Sequence, residues 1–63
     1  MVSIRVMWRS RNEYGIAIEI VNEIIEMLKS RGLTVRKSKV FPLRNGEDGG
    51  GRVYILAYIS FFG

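Results

Sequence analysis

The stretch Arg52-Val-Tyr-Ile-Leu-Ala-Tyr-Ile-Ser-Phe61 decides how this chain folds, because it is apolar on both parities. Val53, Ile55, Ala57, Ile59 and Phe61 fall on one side of an extended strand, and Tyr54, Leu56 and Tyr58 fall on the other. Successive side chains of a strand point to opposite faces, so a strand apolar on both belongs in the interior of a sheet. Its neighbours must come from the rest of a 63-residue chain, which has room for one domain, spanning 1–63, and a thin core.

The first neighbour is residues 2–9, where Val2, Ile4, Val6 and Trp8 alternate with Ser3, Arg5, Met7 and Arg9, the period of a half-buried strand. The second is Leu33 to Leu43. There Leu33 and Val35 share one parity and Val40 takes the other, so a bulge near Lys37 or Ser38 is needed to keep one face apolar. Pro42 cannot donate to a ladder, which puts this strand at a sheet edge or ends it. Asn45-Gly46 signals a turn, and the glycine-rich run Gly46 to Gly51 predicts a long, mobile hairpin tip.

Between the first two strands the period changes from two to 3.6, and a helix is expected from Glu13 to Arg31. Ser10 stands three residues before Glu13, the spacing of a capping box, with Asn12 as a competing cap. Lys29, Arg31 and then Gly32 give the cationic last turn and left-handed stop that helix ends favour. On a helical wheel Ile20, Ala17, Ile24, Leu28 and Val21 form the centre of an apolar arc of about 200°, wider than three strands can cover. The predicted fold is therefore α+β, strand-helix-strand-strand, with a three-stranded antiparallel sheet in the order 1-3-2 packed on one helix.

The chain has no Cys and no His, which removes disulfides and the ordinary ligands of zinc and iron-sulfur sites, so no metal and no cofactor is expected. Association with other copies is the reinforcement left to so small a core, and a homo-oligomer is expected. No apolar run approaches the length of a membrane span and no leader pattern opens the chain, so the expected location is cytoplasmic. Plentiful Ile, Arg and Glu with a single Pro lean toward a thermophilic source.

Catalysis is not expected, since general acid-base and nucleophilic work draw mostly on the two missing residue types. Glu19, Glu23 and Glu26 read as a solvated helix face. Gly46-Glu-Asp-Gly-Gly-Gly51 lacks the Lys-Ser/Thr of a phosphate loop and opens no helix. The net charge of +4 points instead to an anionic partner. Four of six acids lie on the helix, whereas eight of ten basic residues lie outside it.

On the sheet face turned away from the helix, Arg5, Met7 and Arg9 would stand beside Tyr54, Leu56 and Tyr58, with Arg36 and Lys37 or Lys39 from the second strand. Cations interleaved with aromatics suit nucleic acid, because cations neutralise phosphates while flat rings stack on bases. The expected site is thus a DNA- or RNA-binding surface, chromatin- or ribosome-associated, made of Arg5, Arg9, Arg36, Lys37, Lys39, Arg44 and Arg52 with Tyr54 and Tyr58 for stacking. The alternative is a homo-oligomeric assembly or adaptor module in which Tyr54, Leu56 and Tyr58 form a subunit interface and the basic charge is incidental.

Overall fold

The computed structural model describes residues 1–43 and 49–59. The chain runs β1 (Val2–Ser10), α1 (Arg11–Ser30), β2 (Thr34–Lys37), β3 (Phe41–Pro42) and β4 (Gly49–Tyr58). The doubly apolar last strand lies in the middle, antiparallel to β1 on one side and to β2 and β3 on the other. This is the expected α+β class, with the helix on one face of an antiparallel sheet, but the sheet has four strands rather than three, because the expected Leu33–Leu43 strand divides into β2 and β3.

β1 pairs with β4 along nearly its whole length, from Val2 opposite Ala57 to Ser10 opposite Gly49. The opposite edge is irregular. Lys37 faces Ile55, yet Phe41 faces Arg52, so four residues on one strand match three on the other. The extra residue is a bulge just beyond Ser38, near the expected place, although Val40, whose parity called for it, stays 41% exposed and outside the core. Ser38 makes the bulge tolerable: its N–H donates to the Tyr54 carbonyl at 2.9 Å, and its Oγ accepts the Tyr54 N–H at 3.0 Å in place of a main-chain oxygen.

The helix begins two residues before the expected start. Glu13 accepts the Arg9 N–H at 2.8 Å, one residue upstream of the capping-box partner, and the Ser10 side chain makes no cap bond. Asn12, the rival cap, lies inside the first turn. At the other end Gly32 adopts φ +84°. Its N–H reaches the Lys29 carbonyl at 2.9 Å and the Leu33 N–H reaches the Leu28 carbonyl at 3.2 Å, the paired bonds of a left-handed glycine stop.

The core joins Ala17, Val21 and Leu28 of α1 to Val53, Ile55 and Ala57 of β4 and Trp8 of β1. Val21, Val53 and Ile55 are almost wholly enclosed, each contributing about 1.5–3 kcal/mol by leaving water. Ile20, expected at the centre of the helix's apolar face, is 45% exposed, and Ile16 and Met27 beside it are exposed too. The line that meets β4 runs through Ala17, Val21 and Leu28, and one apolar flank is left beyond the sheet.

The glycine run departs most from expectation. Gly49, Gly50 and Gly51 belong to β4 rather than to a mobile tip. A Cβ on Gly51 would come within 2.7 Å of the Trp8 ring, and one on Gly50 within 2.6 Å of the Arg9 carbonyl oxygen. Those two positions lack side chains because Trp8 and β1 occupy the space. The Asn45-Gly46 turn, Arg44, the acids Glu47 and Asp48, and Phe61 lie outside the described residues.

Candidate nucleic-acid interface

The sheet face opposite the helix is built by parity. The Tyr54 carbonyl bonds toward Ser38 and the Gly50 carbonyl accepts the Leu43 N–H at 3.2 Å, so even-numbered residues of β4 turn their main-chain groups toward β2 and β3. Their side chains form the outer face. Across it Arg5 stands opposite Tyr54, Met7 opposite Arg52, and Ser3 opposite Leu56. On the other side Arg36 stands opposite Leu56, Thr34 opposite Tyr58, and Phe41 opposite Arg52.

One cluster at the bulge organises this surface. Phe41 and Tyr54 meet edge to face with ring centroids 6.0 Å apart and planes at 65°. Two cations sit on the Phe41 ring, with Arg52 Cζ at 5.7 Å and Lys39 Nζ at 5.5 Å from its centroid. Such contacts contribute about 0.5–1 kcal/mol at exposed sites, enough to orient a long side chain without binding it firmly. The Arg52 Nε is buried with no hydrogen-bond partner among the described residues, so the Phe41 ring is the contact that orients the guanidinium.

The sequence-derived candidates sort as follows. Arg5, Arg36, Lys39, Arg52, Tyr54 and Tyr58 share the outer face, and Arg9 continues it at the end of β1. Lys37 does not join them: opposite the inward-facing Ile55, it takes the helix-side parity and is exposed at the sheet edge. Arg44 lies outside the described residues. Sequence reasoning misses Phe41, which carries the cation cluster. The signal for it is the bulge itself, since one extra residue turns the odd positions beyond Ser38 from the helix side to the outer face.

No acidic residue occupies this face among the described residues. Glu13, Glu19, Glu23 and Glu26 all belong to α1, on the far side of the sheet. Apart from Arg9, whose N–H meets Glu13 at the strand end, the cations of this face are separated from the described carboxylates by the thickness of the sheet, leaving an outward basic field over a surface with stackable rings.

A second concavity of about 290 Å³ opens where α1 overhangs β1, between Val6 and Trp8 on the strand and Ile16 and Ile20 on the helix. Its one ionisable group is Glu13, engaged by the Arg9 N–H. No group of three or more acidic residues that could hold a metal ion occurs among the described residues. Among the described residues no helix is long and apolar enough to cross a membrane. Neither the family models, the curated proteins nor the solved structures yield a match to this chain.

Proposed function

We propose that this protein is a non-enzymatic, cytoplasmic nucleic-acid-binding protein that engages its ligand with the outer face of the sheet. The observation that supports this most is the Lys39–Phe41–Arg52–Tyr54 cluster, bordered by Arg5 and Arg36, on a face without carboxylates among the described residues. Arg5, Arg36, Lys39 and Arg52 supply phosphate contacts, and Tyr54, 36% exposed, supplies a ring on which a base can stack.

The test is the salt dependence of binding. Counterion release gives log K against log salt a slope of about −0.9 per phosphate contact on duplex and about −0.7 on single strands. Four to six contacts therefore predict a slope of roughly −3 to −5. Arg5→Ala with Arg36→Ala should flatten it by up to about two units. Tyr54→Ala should weaken single-strand binding by about 1 to 3 kcal/mol and leave the slope unchanged, because stacking releases no counterions. Absence of affinity for duplex DNA, single strands and structured RNA at about 50 mM salt, where a basic binder is near its tightest, would hand the surface to the assembly-module reading.

A further inference from the structure

The two edges of the sheet are unlike. The β2–β3 edge is short, bulged, and carries Lys37, Lys39 and Pro42, the features that keep an edge strand from pairing with another chain. The β1 edge is nine residues long and has none of these interruptions between Val2 and Trp8. Odd-numbered residues of β4 turn their main-chain groups toward Val2, Ile4, Val6 and Trp8, so by alternation Ser3, Arg5 and Met7 aim theirs away from the sheet. The next in the series, Arg9, is closed off by Glu13. Directly beside this edge lies the apolar flank of α1 that no described residue covers, where Ile16 is 64% exposed and Ile20 45%.

From this juxtaposition we infer that β1 pairs antiparallel with β1 of a second copy of this chain, about a two-fold axis at Val6, with Ile16 and Ile20 of the two helices closing over the junction. Charge selects the register. Outward residues must face outward residues, which leaves three registers centred on the strand. One opposes Arg5 to its own mate and another opposes Arg5 to Arg9, like charges that destabilise a cross-strand pair. The third places Arg5 opposite Met7 and Arg9 opposite Ser3 and brings Val6 against Val6. Val6 and Ile20 line the same groove, so the axis that pairs the strands also brings Ile20 toward its mate. Stacking two copies by their outer sheet faces would instead press arginines together with no described carboxylate between them.

Cysteine cross-linking tests this in the chain as it stands, since it has no Cys of its own. Val6 faces its mate in a non-hydrogen-bonded pair, where Cα atoms approach to about 4.5 Å, within disulfide range. Val6→Cys should oxidise to a covalent species of twice the 7.2 kDa chain mass, faster than Arg5→Cys or Met7→Cys. Light scattering on the wild type without nucleic acid should give a dimer, and Ile16→Glu should weaken it by about tenfold or more by placing a charge among apolar side chains. A wild-type monomer at high micromolar concentration would overturn the inference. So would cross-linking that is fastest at position 5 or 7, or a dimer indifferent to Ile16→Glu with the fold retained by circular dichroism. Because no nucleic acid is present, failure here leaves the ligand reading standing, and failure of the salt titration leaves the dimer standing.

Discussion

Replacing Gly51 by alanine sets two opposite effects against each other. Removing a glycine from a strand interior lowers the entropy lost on folding and, in open space, favours the fold by about 0.5–1 kcal/mol. At Gly51 the space is not open: the added Cβ would stand 2.7 Å from Trp8 Cζ2, 3.1 Å from Cε2 and 3.2 Å from the Phe41 carbonyl oxygen. The indole cannot swing aside, because it is 97% enclosed and meets Tyr14 edge to face at 5.4 Å. Overpacking of this kind costs about 1–3 kcal/mol, so the clash should win, with a net loss of up to about 2 kcal/mol. For a domain of this size each kcal/mol moves the melting temperature by about 4–8 °C, which predicts a fall of up to about 15 °C. Gly15→Ala is the internal control, since nothing lies within 4 Å of its Cβ and the helix interior should gain up to about 1 kcal/mol. Thermal unfolding of the two variants should shift in opposite directions. If Gly51→Ala melts at or above the wild type, the close packing of Trp8 against β4 is refuted, and with it the reason given for the glycine run.

Three further outcomes are expected from the same structure. Gly32→Ala should destabilise by about 1–2 kcal/mol in urea denaturation, because φ +84° forces a left-handed conformation on a residue with a Cβ. Glu13→Ala removes the acceptor of the Arg9 N–H and a carboxylate near the helix N-terminus; chemical denaturation should report a loss of about 1 kcal/mol, with Glu13→Gln intermediate. Phe41→Ala should release Lys39 and Arg52 from their shared ring, weakening nucleic-acid affinity while the salt slope keeps its value, as measured by anisotropy titration.

Much of the fold is legible because a few residues admit one reading. A strand apolar at Val53, Ile55 and Ala57 and again at Tyr54, Leu56 and Tyr58 can only be central, and it is. Val40 sits on the wrong parity for the strand that begins at Leu33, and the register does slip by one residue beyond Ser38, though Val40 itself stays exposed. The glycines misread because composition does not say why a side chain is missing. A glycine in a mobile turn and a glycine under an indole look alike in sequence, and the difference appears only once Trp8 is opposite Gly51. Ile20 misreads for a related reason. The wheel gives the centre of the apolar arc, but the sheet's edge fixes which part of that arc is covered, and β1 ends the sheet short of the Ile16–Ile20 flank. At the candidate site Arg5, Arg9 and Arg36 were readable by parity, whereas Lys37 falls on the helix-side parity and both Lys39 and Phe41 reach the outer face only through the bulge.

The proposed ligand and the proposed dimer act on the same arginines. A two-fold axis normal to the sheet keeps both helices on one side, so the two outer faces would join into one basic surface. Arg5 would then be a diagonal neighbour, about 7–8 Å away, of both Arg5 and Arg9 of its mate, which makes three arginine contacts across the junction. In water each repulsion is about half a kcal/mol, together about 1.5 kcal/mol directed against the seven-residue strand pairing. A polyanion laid across the junction removes the repulsion and adds its own contacts to both copies. Whatever it contributes to holding the copies together, pairing must contribute equally to holding the polyanion, because the two equilibria share one coupling free energy. Arg5 is where that coupling would be strongest, since it stands one residue from the axis and opposite Tyr54 in the sheet.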